Sequence, residues 1–561
     1  MRGRVRQSPA VRFAPTQEVD FAIVGSGAAG AVVARELARN GFTVVVLEQG
    51  PYLREQDFKH DELAVYEGHQ LTNIPALQPQ TFRADPKAKA KPRDFLGYGR
   101  VVGGGTVHFT GNYWRFHEID FEERSRIGPI SGTGFDDWPI RYSDLEPYYT
   151  KVDWEIGVSG DAAASPFEPP RSRPYPVPAL PIKPSGVLAE VAARKLGWHA
   201  APAPMAILSR PHRGRRACQH CGFCESFGCE WGAKSSTLVT MIPEAERTGR
   251  CEIRPNSYVR RVQTDARGRV TGVVYFDAAK REVMQRAKAV VLCANGAETP
   301  RLLLMSKSNL FPNGLANSSG LVGKYLTFNG GSFAGGLFAH EINGHKSVQV
   351  SRYIQDFYRL DRKHGLIGGG GIDTRFDFYP VSFAMFGLPI EGPQWGLEYK
   401  RMLREYFTRS MYVLSHTTQL PMESNSVSLD PDVKDAWGLP AIRTTFAEHP
   451  NDMKLYRFFQ DRGLELLQAA GAKKTWEFPL DAPYAVHLLG TCRMGNDPKR
   501  SVVDRFHRAH DVPNLFMVDG SSFVTSGTGQ PTMTIQALAF RAADEITRLA
   551  RRGEIDRRSS R

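Results

Sequence analysis

Three groups of residues have the types and spacing to do chemistry. Gly25, Gly27 and Gly30 form a GxGxxG run directly after the apolar stretch Phe21 to Val24, and they open a helical pattern that reaches Arg39. Gly25 permits a tight turn, Gly27 lets backbone N–H groups approach a pyrophosphate at the helix N-terminus, and Gly30 lets helix and strand pack closely. Glu48 closes the next β-branched run eighteen residues after Gly30, near the offset of about 20 at which a carboxylate meets the adenosine ribose. An acid at this position, rather than Arg, favours FAD or NAD over NADP. The second group is the run His487-Leu-Leu-Gly-Thr-Cys-Arg-Met-Gly495. An imidazole with an ordinary pKa of about 6.5 can take a proton from an alcohol at neutral pH; a histidine taken alone is more often a packed core residue. The third group is Cys218, Cys221, Cys224 and Cys229, four thiols within twelve residues.

The cysteine spacing fits zinc poorly, because zinc ribbons use two separated CxxC pairs. CxxCxxC with a fourth Cys is closer to iron–sulfur spacing, although four residues stand where three are usual and no Pro follows. Disulfides between such near neighbours would be strained. Free or structural thiols in a loop remain the plain alternative. Cys251, Cys293 and Cys492 read as small buried hydrophobes.

The elements that must hold these residues follow from periodicity. Strand, glycine turn, helix and strand run from Phe21 to Leu47. Residues 258–276 alternate around Arg267-Gly268 like a hairpin. Val290 to Ala294 reads as a buried strand with a helix after it, 514–518 as a last strand leading to Asp519 and Gly520, and 534–550 as a closing helix. Residues 83–93, 166–184 and 210–216 have the composition of surface connections. Residues 330–480 mix aromatic strand-like runs with one helical stretch near 452–470 and carry no transferable motif.

A second glycine-rich segment runs Arg100-Val-Val-Gly103-Gly104-Gly105-Thr106-Val-His108 and continues to Arg115. Together with 25–30, 487–495, 514–521 and 530–539, in that order, it resembles the glucose–methanol–choline (GMC) flavoprotein oxidoreductases. The resemblance implies an α/β fold: a discontinuous Rossmann-type FAD-binding domain (18–165, 185–325 and 485–552, with the Cys-rich loop 210–235) and a sheet-plus-helices substrate domain (326–484). Residues 1–17 and 553–561 would be basic flexible tails.

It also implies roles. His487 would take the alcohol proton while hydride passes to flavin N5. The family's Asn or His before the terminal Pro is Gln530 here, one methylene longer than Asn but still an N–H donor to the substrate oxygen. His108 sits at the offset where some family members bind FAD covalently through the flavin 8α carbon. Arg100, Gly103, Gly104, Thr106, Val259, Asp519, Gly520, Pro531 and Thr532 complete the set of residues it implies for cradling FAD. The stretch through Trp231 to Ser236 is similar to the flavoprotein subunits of gluconate 2-dehydrogenase and glucoside 3-dehydrogenase, and implies that the four cysteines carry an iron–sulfur centre. The substrate would be a sugar, sugar acid or polyol. The partners would be a small subunit and a cytochrome-type acceptor. An O₂-using oxidase and a non-enzymatic iron–sulfur or metal-binding scaffold are the rival readings.

Composition sets the outer bounds. A chain of 561 residues exceeds one core. Hydrophobic residues at 41% and charged residues at 23% are ordinary for a globular protein, and no run of about 18 apolar residues encodes a membrane span. Of the formal charge of +13, the Arg-rich ends supply +8. That leaves a nearly balanced body, and no motif accompanies the charge that would suggest nucleic acid. The basic N-terminus lacks an apolar signal core. The expected location is therefore cytoplasmic, or periplasmic if a signal-bearing partner carries the folded chain.

Overall fold

The structure is a computed structural model, and it describes residues 12–360, 364–480 and 485–555. Its centre is a seven-stranded sheet whose first part is parallel, in the order Cys251–Arg254, Val44–Leu47, Val19–Val24, Glu282–Leu292, with Leu515–Met517 joined to Glu282–Leu292. Residues 21–24, 44–47 and 289–292 in these strands are continuous apolar runs because both of their faces are covered. Gly30–Arg39 and Pro531–Arg551 pack together over them, and Val32, Val33, Ala537 and Phe540 are fully buried. The hairpin Tyr258–Thr264 with Val270–Phe276 completes the sheet in antiparallel fashion.

The register sets where a ligand can lie. Val24 pairs with both Leu47 and Leu292, and Leu292 pairs with Met517. Four parallel strands therefore end level, and Gly25, Glu48, Cys293 and the residues after Met517 step off one edge together. That carboxyl edge is where open α/β sheets bind ligands.

A second sheet, wholly antiparallel, runs in the order Lys474–Glu477, Phe333–Leu337, Ser410–Thr417, Gly370–Arg375, Arg352–Ile354, Ala200–Pro202. The helix Pro450–Ala469 covers it. A four-stranded sheet joins Ser426–Lys434 and Pro440–Thr445 to Gln80–Arg83 and Lys91–Pro92.

Three expectations need correction. Residues 185–202 do not stay with the dinucleotide sheet: Ala200–Pro202 is the edge strand of the second sheet, and Ala192 and Ala193 are buried in that sheet's core. The 83–93 connection begins and ends in short strands: Gln80–Arg83 pairs with Pro440–Thr445, and Lys91–Pro92 folds back to pair with Thr81 and Phe82. The core takes in residues from both expected tails. Phe13 packs on the main core and donates its N–H to Glu252 at 2.8 Å, and Ile555 is buried in the same core. The remaining tail residues, 1–11 and 556–561, lie outside the described residues.

Candidate active site

A cavity of about 470 Å³ runs from the strand edge at Glu48 to a polar chamber between the two main sheets. Gly25, Gly27, Glu48, Gly104, Thr106, His108, Val259, Asp519, Gly520, Pro531 and Thr532 all line it, as do His487 and Gln530. Gly30, Arg100 and Gly103 do not. Gly30 packs against the Gly25 carbonyl and Cys293, Gly103 turns the chain with a positive φ of 99°, and half-buried Arg100 is drawn towards Glu48.

The two glycine segments meet face to face, since a Cβ on Gly104 would lie 2.7 Å from the Gly27 Cα. A short relay ties them together. The Ser26 hydroxyl donates to Glu48 at 2.7 Å, and the Gly103 N–H donates to the same hydroxyl oxygen at 3.0 Å. Glu48 also accepts the Ser26 and Gly50 N–H groups. The ribose-binding candidate is thus a brace of the loop as well, a role its spacing alone does not reveal. Across the edge, Asp519 accepts N–H groups from Asn295 and Ser521 and the Thr299 hydroxyl. Burial pushes the pKa of both carboxyls up against these donors.

His487 is placed by the backbone of its own motif. Gly490, Cys492 and Met494 donate N–H groups to the carbonyls of Gly520, Ser521 and Ser522 at 3.0, 2.7 and 2.8 Å, and the Thr491 hydroxyl bonds the Gly296 carbonyl. Every second residue is pinned, which fixes where the imidazole enters the chamber. Neither ring nitrogen of His487 has a partner among the described residues. Burial, with His416 and Arg375 nearby, lowers its pKa to about 3, so the ring is neutral at ordinary pH. Gln530 is the N-cap of Pro531–Arg551, and Pro531 pre-sets the first turn. Its Nε2 is buried without a partner, a state that costs about 1–3 kcal/mol unless a ligand oxygen meets it.

His108 caps the short turn Gly104–Val107. Its Nε2 is likewise buried and unpartnered, and burial with Lys234 nearby lowers its pKa to about 4. Facing glycines that leave room for a phosphate backbone, and orphaned nitrogens at both His108 and Gln530, fit a bound FAD.

The far wall is the part that sequence reasoning missed. Asn112, Glu225, Arg375 and His416 line the chamber. Asp373 and Arg375 lie two residues apart on one face of Gly370–Arg375, and His416 pairs with Gly371 on the neighbouring strand. Arg375 clasps Asp373 at 2.5 and 2.6 Å and reaches Asp377 at 2.7 Å. Burial works to raise the Asp373 pKa, but Arg375 and His416 outweigh it and hold the carboxylate ionised. Opposite charges at i and i+2 in a glycine-rich apolar strand were the one available signal.

The cysteine loop reaches the chamber through Glu225 and Ser226, not through its thiols. Lys234 holds the loop in place, its buried ammonium donating to the carbonyls of Phe109, Cys224 and Phe227 at 3.0, 2.6 and 2.7 Å. The Ser226 N–H bonds the His108 carbonyl. Cys224 is buried, Cys218 and Cys229 are half-buried and Cys221 is exposed. Burial pushes the Cys218 thiol up to about 11. Among the described residues no three His, Cys, Asp or Glu side chains converge as metal ligands, although Cys218, Cys221 and Cys229 lie close enough to Cys224 to push its thiol pKa up further. Cys251, Cys293 and Cys492 are buried, as expected.

Comparison with known proteins decides the family. Two family models described as GMC oxidoreductase match residues 19–327 and 421–539. The chain belongs to the GMC oxidoreductase family. It is a flavoprotein oxidoreductase acting on CH–OH groups. It is 37% identical to a 2-methyl-1,2-propanediol dehydrogenase of Mycolicibacterium austroafricanum, over 95% of each chain. It is 30% identical to the fructose dehydrogenase large subunit of Gluconobacter japonicus, over 95% of this chain and 98% of the relative. The gluconate 2-dehydrogenase flavoprotein of Pantoea cypripedii is 28% identical over 94% of each. Among solved structures, formate oxidase shares the fold with a TM-score of 0.65 at 18% identity, covering 96% of this chain and 99% of that one.

Proposed function

We propose that this GMC oxidoreductase is an FAD-dependent dehydrogenase that oxidises a hydroxyl group of a sugar, sugar acid or polyol. The observation that carries the reading is the pairing of a neutral, unpartnered His487 with the free Nε2 of Gln530 in one buried chamber, at the end of the glycine cradle. When bound, FAD supplies the acceptor for the substrate's hydride. His487 takes the hydroxyl proton on a ring nitrogen that no protein group occupies. Negative charge growing on the substrate oxygen raises the pKa of an adjacent imidazole, so a ring held neutral at rest gains basicity as the reaction proceeds. Gln530 donates an N–H to that same oxygen, and the apolar wall of Leu414 and Leu489 excludes water.

The relatives named as dehydrogenases of a diol and of a sugar support this class of substrate. The relative named as a large subunit supports a multi-subunit assembly with electrons leaving to a carrier. Covalent attachment of FAD at His108 is the finer reading of its buried lone pair; flavin retained in an acid-precipitated pellet, and lost in His108→Ala, supports it. Iron analysis of anaerobically purified protein tests the cysteine loop, and iron at background leaves the four cysteines as structural thiols.

The test of the main reading is anaerobic mixing with a sugar and polyol panel, followed by flavin absorbance. His487→Ala should bind FAD and slow flavin reduction by roughly 10²–10⁴-fold, the usual contribution of a general base. An unchanged rate moves the base elsewhere. Rapid reoxidation by air in place of an added carrier favours an oxidase.

A further inference from the structure

We infer that His416, turned and held by Asp373, accepts the hydrogen bond of a second, non-reacting hydroxyl of the substrate, so that the chamber selects diols and polyols over simple alcohols. The inference rests on the proposed reading that His487 and Gln530 meet the reacting hydroxyl.

The argument starts from the tautomer. Asp373 is ionised and can only accept hydrogen bonds. His416 Nε2 lies 3.0 Å from Asp373 Oδ2, so Nε2 carries the proton and donates it. Arg375 Nη2 lies 3.3 Å from the same nitrogen, but a guanidinium has only donors. Both groups therefore aim at Oδ2, which the Asn112 amide also reaches at 2.9 Å. Three donors converging on one carboxylate oxygen leave the ring no freedom to rotate. Trp114 adds a wall, its ring edge-on to the imidazole at 5.4 Å.

With Nε2–H fixed, Nδ1 bears the lone pair. Nδ1 has no partner among the described residues, and His416 lines the same cavity as His487 and Gln530. Burial keeps the ring neutral by lowering its pKa, and the residue is 7% exposed. The two histidines are thus differently equipped. His487 has both nitrogens free, which suits a group that must gain a proton. His416 is a rigid acceptor with one lone pair, which suits recognition. Glu225, whose carboxyl accepts the Thr110 hydroxyl, stands on the same wall, so the chamber offers acceptors beyond what one hydroxyl can use. A buried acceptor left without a donor disfavours an analogue that lacks the hydroxyl, which is how such sites discriminate.

The test uses the FAD-loaded enzyme and pairs of probes that differ by one neighbouring hydroxyl: propane-1,2-diol with propan-1-ol, glycerol with propane-1,3-diol, and D-glucose with 2-deoxy-D-glucose. Wild type should favour the more hydroxylated member of at least one pair by about 10-fold or more in kcat/KM for flavin reduction. His416→Leu should bring that ratio near one by slowing only the favoured member. His416→Gln, which keeps an acceptor oxygen, should restore part of the ratio and guards against a folding defect in the leucine variant. A wild-type ratio below about threefold in every pair overturns the inference, as does an undiminished ratio in His416→Leu. Equal loss of both members in His416→Leu also overturns it, because that places His416 at the reacting centre. Failure of the underlying reading looks different: His487→Ala would then retain its rate with every probe.

Discussion

The three glycines of the first motif look equivalent in sequence, yet their surroundings predict opposite outcomes for the same substitution. Gly25 has φ +95°, and an added Cβ would sit inside the van der Waals envelope of the Cys293 carbonyl. The left-handed backbone costs about 1–2 kcal/mol for an L-residue and overpacking about 1–3 kcal/mol more. Gly25→Ala should therefore lose roughly 2–5 kcal/mol, a large share of a total of about 5–15. Gly30→Ala meets the Gly25 carbonyl and should behave alike. Gly27 is different. Its Cβ would meet nothing nearer than the Gly104 Cα at 3.8 Å, an ordinary approach, and its φ is not positive. The flavin-free fold of Gly27→Ala should be as stable as wild type, or more stable by about 0.4–1 kcal/mol through a less flexible unfolded chain. The methyl group would occupy the gap in which phosphate oxygens approach backbone N–H groups. Breaking one charge-assisted hydrogen bond to phosphate costs about 1.5–3 kcal/mol, or about 10- to 150-fold in affinity. The assay is flavin per chain in purified protein, with thermal midpoints of flavin-free protein made under riboflavin depletion. Gly27→Ala with full flavin, or with a midpoint as low as that of Gly25→Ala, refutes the placement of the pyrophosphate between the two glycine segments.

Three further outcomes follow from the site and its surroundings. Gln530→Leu should lower kcat and kcat/KM together, because the Nε2 hydrogen bond strengthens as the substrate oxygen gains charge, while Gln530→Asn keeps part of the activity; wild-type rates in both variants remove the side chain from the reacting centre. The pH profile of flavin reduction should show no loss from His487 protonation between pH 8 and 5, since that ring becomes charged only near pH 3, and an acid limb near 6.5 that disappears in His487→Gln contradicts this. Glu448, pushed up to about 7 by burial against donors Tyr456 and Gln419, and its neighbour Asp452, pushed up to about 8, keep their protons in the folded chain at pH values where the unfolded chain has lost them. Stability from this pair should be complete below about pH 4 and fall as pH rises towards 8, with a limiting slope of about 1.4 kcal/mol per pH unit for each group. Glu448→Gln should flatten the thermal midpoint between pH 5 and 8, and an unchanged slope refutes the pair's role.

The sequence determined whatever depends on neighbours along the chain. Glycine spacing after an apolar run specified the turn, the helix start and the strand edge, because a GxGxxG turn works only with those backbone approaches. The HLLGTCRMG run marked His487 through its own residue order, while the pairing of Gly490, Cys492 and Met494 with the carbonyls of 520–522 is what the fold adds to hold it. Tertiary structure decided everything that depends on strands meeting across long separations. Nothing near His416 or Asp373 in sequence reports that their strands are neighbours, 43 residues apart, or that Asn112, outside the strands of either sheet, completes the wall. The cysteines show the converse limit. Their spacing invited a metal, but the loop's path follows Lys234 and its three carbonyls, and that buried ammonium holds the loop with Glu225 and Ser226 facing the chamber.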